Sequence, residues 1–315
     1  MEQRLYDTVV IGGGPAGYAA ALYCARANLN TLVLEQMAPG GQMGATDRVD
    51  NYPGFAEGIS GMELAARMQQ GAERFGAATR FAQAIAVCVD SEIKRVTAND
   101  GEYLARTLIL ACGASPKELG LAGERELRGR GVSYCATCDG MFYRHKTVAV
   151  VGGGNTAVAD VLYLSRICAE IHLIHRRGDL RAAAANAEQL RGAGNIVYHW
   201  HTEITALEGE KELSGLTLKN KQTAELSHIA CDGLFVAVGV TPNTALFREQ
   251  VDMDEAGYVL ADETTRTNVS GVFAAGDLRR KPLRQIVTAV ADGAVAAKYA
   301  EEYISGLVRS PSVEF

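Results

Sequence analysis

Two stretches of this 315-residue chain follow one pattern: YDTVVIGGGPAGYAAALYCARANLNTLVLEQ, from Tyr6 to Gln36, and KTVAVVGGGNTAVADVLYLSRICAEIHLIHRR, from Lys146 to Arg177. In each, a β-branched run meets a cluster of glycines, then a segment of helical period, then a second apolar run. That is a βαβ unit, and it occurs twice. Two such units imply an α/β architecture with two dinucleotide-type sheets. The first helix is expected to start near Pro15, whose missing N–H costs nothing in a first turn. The second is expected to open at Asn155 and Thr156, residues suited to satisfying free amides at a helix N-terminus. Further strand-like runs lie at Leu104–Ala111, Gly233–Gly239 and Val272–Ala275. Helical period returns at Gly61–Phe75 and Ile286–Ile304, and ATDRVDNYPGF reads as loop.

The glycine clusters carry chemistry. Gly12-Gly13-Gly14-Pro15-Ala16-Gly17 fits G-x-G-x-x-G, which permits a tight turn and lets backbone N–H groups approach a pyrophosphate at the positive end of a helix. Glu35 ends the following strand, where an acid can accept hydrogen bonds from a ribose 2′-hydroxyl. The second cluster, Gly152-Gly153-Gly154-Asn155-Thr156-Ala157, ends in alanine, a permitted variant. Its second strand ends in His175-Arg176-Arg177, with Arg181 shortly after. A carboxylate there would repel a 2′-phosphate, whereas guanidinium groups pair with one. The first site therefore suits a ribose with a free hydroxyl, and the second suits NADPH.

Between the two units stands Cys135-Ala136-Thr137-Cys138-Asp139. Zinc would need two further ligands, and there is no second C-x-x-C, so no metal site is expected. Two thiols at this spacing can close a small disulfide and exchange it with another. Asp139 is placed to move a proton as a thiolate leaves. The other five cysteines, at positions 24, 88, 112, 168 and 231, sit in apolar surroundings and read as buried, inert thiols. A net charge of −6 gives no basic footprint for nucleic acid. No apolar run approaches the ~18–20 residues that cross a bilayer. MEQRLYDTVVIGGG passes quickly into a strand-like run, so a cytoplasmic location is expected.

Taken together, IGGGPAG, Glu35, the PGGQ turn at Pro39–Gln42, DNYPGF, CATCD, VGGGNTA, HRR with Arg181, and VFAAGDLRRKPLRQ resemble the bacterial-type, low-molecular-weight thioredoxin reductases. The resemblance spans essentially the whole chain. It implies two Rossmann-like, three-layer domains, one for FAD and one for NADPH, the second inserted in the first. The FAD domain would be 1–115 plus 245–315, and the insert, carrying the redox cysteines, 116–244. The first βαβ unit would hold the adenosine half of FAD. Gly40, Gly41, Gln42 and Asn51 match positions lining the flavin. Gly276-Asp277 matches a turn whose acid holds the ribitol or pyrophosphate region, and Arg284, Gln285 and Ile286 match residues beside the isoalloxazine.

The resemblance further implies that NADPH passes a hydride to FAD and that the reduced flavin attacks the Cys135–Cys138 disulfide. Cys138 would face the flavin, Cys135 would attack thioredoxin, and Asp139 would serve as acid–base. Phe142 and Arg144 match positions that grip thioredoxin, with Met141 where an aromatic is common. A homodimer is implied as well. Two other readings stay open: reduction of a different dithiol (a glutaredoxin-like protein, a peroxidase component or a small-molecule disulfide), and a flavin- or nucleotide-sensing module without turnover. Because the thiols and the second glycine loop share the insert, that insert is expected to rotate about its crossings near Lys117–Gly120 and Val240–Thr244.

Overall fold

The computed structural model describes residues 4–182 and 188–309. The chain forms two units: residues up to Ser115 together with those from Thr241 onward, and Pro116–Val240 between them. The second crossing was expected within Val240–Thr244, with the insert running to residue 244, and the chain crosses at the start of that span, between Val240 and Thr241. Thr241–Thr244 cluster with the first unit, where the Asn243 N–H donates to Gly113 O (3.0 Å) and Thr244 Oγ1 donates to Gly257 O (2.8 Å).

The first unit is built on β1 (Leu5–Ile11), β2 (Thr31–Glu35), β3 (Ala78–Phe81), β4 (Ala84–Cys88), β5 (Lys94–Ala98) and β6 (Gly101–Leu110). Strands β3-β2-β1-β6 are parallel, as βαβ connections require. Along its N-terminal half β6 pairs antiparallel with β5, and along its C-terminal end it pairs parallel with β17 (Val272–Ala274). Side-chain alternation sorts the two faces of this sheet. Val10, Val33, Ile109 and Phe273 face one core together with alanines of α1 (Pro15–Arg26) and of α5 (Ile286–Arg309), the last helix. Val9, Leu34, Leu108 and Val272 face the other, with Phe247 and Val259. A further helix, α2 (Gly61–Glu73), is capped by Ser60, whose hydroxyl accepts the Glu63 N–H at 3.1 Å. It ends two residues before the expected Phe75.

The second unit has a five-stranded parallel sheet, ordered β11-β10-β9-β15-β8. Its strands are β8 (Val132–Ser133), β9 (Thr147–Gly152), β10 (Glu170–Ile174), β11 (Ile196–His199) and β15 (Gly233–Ala237). The short α3 (Ala136–Asp139) follows β8, and α4 (Asn155–Leu164) follows β9. Val148, Val150, Leu173 and Phe235 pack beneath α4. Ala149, Ile174, Leu234 and Val236 face a small antiparallel sheet that sequence periodicity had not marked, β12 (Thr202–Glu208), β13 (Gly215–Asn220) and β14 (Leu226–Ala230).

At the crossings, β7 (Ala114–Pro116) pairs with β16 (Val240–Pro242). The segment expected to hinge at Lys117–Gly120 is tied from Leu119 onward. The buried Glu124 carboxylate accepts the N–H groups of Leu119, Gly120 and Leu121 at 2.8, 2.8 and 3.2 Å. Among the described residues no helix is long and apolar enough to cross a membrane.

Helices α1 and α5 approach closely because the contact is lined by Ala16, Ala20, Ala289, Ala296 and Ala300. A Cβ added at Gly293 would collide with the Ala16 carbonyl oxygen. In an open helix Gly→Ala stabilises by about 0.5–1 kcal/mol. Here the collision wins, since overpacking costs about 1–3 kcal/mol. Gly293→Ala should therefore lower the thermal midpoint of the protein, whereas an exposed helix glycine would raise it. A midpoint equal to or above that of the unmutated chain refutes the packing argument.

Candidate functional site

In the first unit the turn from β1 into α1 passes over the end of β6. Gly12 has φ 107°, and a Cβ there would lie 2.5 Å from Ala111 O. Any side chain would push the loop off the sheet. Gly14 is the N-cap of α1, Pro15 stands in its first turn, and Ala16 and Gly17 are buried beneath. The PGGQ turn is bonded onto this loop by the Gly40 N–H, which donates to Gly13 O at 2.7 Å. A Cβ on Gly14 would meet nothing within 4 Å, and one on Gly41 would meet only Gly14 Cα, at 3.8 Å. Space is thus left open over the loop, with the exposed Gln42 next in sequence. Glu35 closes the far side. Its Oε2 accepts the Gly13 N–H at 2.7 Å and its Oε1 the Met37 N–H at 3.1 Å, and each oxygen keeps a further lone pair for a hydroxyl.

The remaining residues expected around a flavin also gather in this unit. Asn51 Nδ2 donates to Gln285 Oε1 at 3.0 Å, joining the DNYPGF loop to the start of α5. Ile286, the first residue of that helix, packs against the small core of Met43, Val49, Ile59, Leu64 and Ala65. Arg284 lies over the Tyr258 ring, 4.1 Å from its centroid, and its Nε donates to Asp277 O at 3.4 Å. Gly276 and Asp277 follow β17 after Ala275. Asp277 Oδ1 is buried without a hydrogen-bond partner among the described residues, and burial pushes the carboxyl up. Tyr18 Oη, against Gly13, is buried and unpartnered too, with burial moving the phenol up to about 12. These features fit a dinucleotide: open space over glycines, an acid with spare lone pairs beside them, and a half-exposed carboxylate on the turn after β17.

In the second unit Cys135 and Cys138 are joined as a disulfide, with Cα atoms 5.3 Å apart, at the half-buried start of α3. Ser133, on β8, organises the surroundings, a part sequence reasoning did not anticipate. Its hydroxyl donates to Asp139 Oδ2 at 2.6 Å and accepts the Cys135 N–H at 3.1 Å. The acid and the first cysteine are thereby fastened to one buried strand residue. No pattern marks a serine two positions before a C-x-x-C, so only the fold reveals it. Beyond Asp139, Met141 and Phe142 are 54% and 42% exposed, an apolar surface beside the disulfide.

The second glycine loop copies the first. A Cβ at Gly152 would collide with Ala237 O, and Ala157 is buried beneath. Gly154, not Asn155 or Thr156, is the N-cap of α4. Both expected caps are already helical, so their side chains lie past the capping position. Nothing lies within 4 Å of a Cβ on Gly154. The Arg181 N–H donates to Gly153 O at 2.7 Å, bringing the segment after β10 onto the loop. Arg176, Arg177 and Arg181 are exposed, while the His175 ring is buried directly under Gly153. Burial, then the positive charges of Arg181, Arg177 and Arg176, hold His175 below the usual imidazole range. At neutral pH it is therefore a neutral ring, and the arginines carry the charge.

Of the five remaining cysteines, Cys24, Cys168 and Cys231 are buried as expected, and burial raises them to about 12, 11 and 12. Cys112 is partly exposed as a residue, yet its thiol donates to Ile11 O at 3.4 Å and is likewise raised to about 12. Cys88 departs from expectation. It ends β4, the strand at the edge of the sheet, and is exposed. Among the described residues no group of three His, Cys, Asp or Glu is placed to hold a metal ion.

Asp160, on α4, gives a test of these burials. Desolvation moves its carboxyl from 3.8 up to about 7. Between those values the folded chain holds a proton that the unfolded chain has lost, so this residue's contribution is greatest at low pH and falls as pH rises through 7. His175 and His199, held low by burial, run the opposite way, so the comparison must be with a variant. Asp160→Asn should gain thermal stability over the unmutated chain by more at pH 8 than at pH 5, by more than about 1 kcal/mol. A pH-independent difference refutes the upward shift of this half-buried acid.

The family described as pyridine nucleotide-disulphide oxidoreductase matches residues 6–293. A thioredoxin reductase of Treponema pallidum (strain Nichols) is 44% identical over 302 residues, covering 96% of this chain and 98% of the relative. One from Bacillus subtilis (strain 168) is 42% identical over 307 residues, covering 97% of each. The crystal structure of thioredoxin reductase from Streptococcus pyogenes MGAS5005 aligns with a TM-score of 0.91 at 38% identity, over 96% of this chain and 99% of that one. Matches of this length take in both glycine loops and the cysteine pair between them, and the chain belongs to the pyridine nucleotide-disulphide oxidoreductase family, on its thioredoxin reductase branch.

Proposed function

We propose that this protein is an NADPH-dependent thioredoxin-disulfide reductase, with FAD held in the first unit and NADPH in the second. The observation that carries the reading is the fold's arrangement of three parts: a half-buried disulfide with an acid fastened beside it, and two glycine cradles of different charge. Bound flavin would supply two-electron transfer between a nicotinamide and a disulfide. The chain's own residues do the rest. Gly12–Gly17 and the PGGQ turn leave room for a diphosphate, Glu35 accepts from a ribose hydroxyl, and Asn51 with Arg284, Gln285 and Ile286 frames the ring system. Gly152–Ala157 receives the NADPH diphosphate, while Arg176, Arg177 and Arg181 select its 2′-phosphate.

The chemistry at the thiols balances without further parts. Two electrons and a proton open the Cys135–Cys138 bond. The Cys135 thiolate attacks the thioredoxin disulfide and forms a mixed disulfide, and Cys138 then displaces reduced thioredoxin, which leaves as a thiolate and takes a proton. Asp139, held by Ser133, moves that proton. The exposed Met141 and Phe142 give a partner protein an apolar surface next to the attacking sulfur. Reduction of another dithiol uses the same parts, and rates with thioredoxin against a small-molecule disulfide separate the two. A sensing module has no use for an exchangeable disulfide with an attached acid.

The two cradles predict nucleotide choice. Charged hydrogen bonds contribute about 1.5–3 kcal/mol each, so kcat/KM should favour NADPH over NADH by at least roughly tenfold. Arg176→Ala with Arg177→Ala should remove most of that preference. Equal kcat/KM for both nucleotides in the unmutated enzyme refutes the assignment.

The cysteines are also separable. Cys135→Ser and Cys138→Ser should each abolish thioredoxin reduction while leaving reduction of bound flavin by NADPH intact, followed as bleaching of its visible absorbance. Only the Cys138→Ser variant, which keeps Cys135, should trap a mixed disulfide with a thioredoxin lacking its resolving thiol. Trapping through Cys138 instead reverses the roles.

A further inference from the structure

Behind the Gly276–Asp277 turn lies a buried group of charges that the proposed reaction does not use. Asp292, in the second turn of α5, receives four bonds from charged side chains and the backbone. Its Oδ2 accepts from the Gly276 N–H (2.9 Å), Arg279 Nε (2.9 Å) and Lys281 Nζ (2.7 Å), and its Oδ1 accepts from Arg279 Nη2 (2.8 Å). The three side chains are 8%, 6% and 4% exposed. Glu263 reaches Arg279 only at 4.0 Å and is 97% exposed, so solvent screens it. Two cations therefore share one well-buried anion.

A second anion is at hand. Asp277 lies four residues before Lys281, and Lys281 and Arg284 are the cations whose charge bears on it. Yet the structure leaves Asp277 Oδ1 without a partner, although a buried cation and a buried carboxylate gain strongly from pairing. The difference is Asp292. It takes the Lys281 ammonium, which also donates to Thr288 O at 3.2 Å, and so holds it on the α5 side of the turn.

We propose that Asp292 is a positioning residue for the flavin: it fixes the turn through the Gly276 N–H and keeps Lys281 off Asp277, leaving that half-exposed carboxylate to accept a hydroxyl of the cofactor's polyol chain. A hydroxyl, rather than a phosphate oxygen, is the fitting donor, because a carboxylate repels a phosphate and has no proton to give it. Removing Asp292 leaves Lys281 buried without its anion, and Asp277 becomes its nearest alternative. The cofactor then loses its acceptor to an internal ion pair. This rests on the reading of the first unit as the flavin-binding domain.

The test is FAD binding to apoprotein, read as quenching of flavin fluorescence, alongside the apoprotein's thermal midpoint. Asp292→Asn should weaken FAD binding by at least tenfold. Lys281→Met on that background should recover binding to within about threefold of the unmutated protein, because the competing cation is gone. A purely structural role for Asp292 predicts the reverse, since the second substitution removes another buried contact and should weaken binding further. Full affinity in Asp292→Asn, or no recovery in the double variant, overturns the proposal. If Asp292→Asn apoprotein gives no cooperative melt, Asp292→Glu carries the test. It keeps the charge on a longer arm, displaces the Gly276 acceptor and should cost roughly three- to tenfold; unchanged affinity again overturns the proposal. Failure of the unmutated apoprotein to bind FAD sinks the flavin-domain reading itself, and Asp277→Asn shows separately whether that carboxylate is used.

Discussion

Both units depend on the same close approach. At Gly12 the chain leaves β1 directly over the carbonyl of Ala111, at the end of β6. At Gly152 it leaves β9 over the carbonyl of Ala237, at the end of β15. In each case the third strand of the parallel set is the obstacle, and only a residue without a side chain clears it. The consequence extends beyond the turn. Passing that low over the sheet, the helix begins with its first N–H groups pointing into the open space above Gly14 or Gly154. An anion there meets fixed dipoles that need no reorganisation to receive it. The constraint that closes the βαβ unit is therefore also the one that leaves open space at a helix N-terminus.

That shared geometry leaves discrimination to whatever stands at the end of the second strand. In the first unit Glu35 turns back and is held by the Gly13 and Met37 amides, which fixes a negative charge at the rim. In the second unit the corresponding position is His175, which folds under Gly153 as a neutral ring and pushes the positive charge outward onto Arg176, Arg177 and Arg181. The two sites differ in the sign of a few side chains on backbones of the same strand–turn–helix pattern. Between them in sequence, the disulfide sits in the second unit on a short helix anchored by Ser133, so the thiols and the arginine-rimmed cradle share one body.

What the sequence made legible follows from these constraints. Both βαβ units stood out because sterics at the glycines and burial on both sheet faces act over neighbouring residues, where pattern is visible. The cysteine pair and Asp139 were legible for the same reason, since their chemistry needs short spacing. The antiparallel sheet β12-β13-β14 was not, because its strands are half-exposed and hold no unbroken apolar run. Cys88 was misjudged, since an apolar neighbourhood in sequence says nothing about a sheet edge. Ser133 and Asp292 escaped because each acts through a group it meets only after folding. Asp292 lies 16 residues from the Gly276 amide it accepts.

The buried polar atoms tie these observations together. Burying a donor or acceptor without a partner costs about 1–3 kcal/mol, so folded chains satisfy nearly all of them. Among the described residues three buried side-chain atoms lack a partner: Tyr18 Oη, His175 Nε2 and Asp277 Oδ1. Their positions are not scattered. Tyr18 lies against Gly13 of the first cradle, His175 against Gly153 of the second, and Asp277 on the turn after β17 that the Asp292 group holds in place. Nearby groups could have satisfied at least one of them, since Lys281 lies within electrostatic reach of Asp277 and is engaged elsewhere. A fold that satisfies its interior polar groups and leaves these three unpaired concentrates its unsatisfied cost beneath the two glycine loops and on the turn after β17.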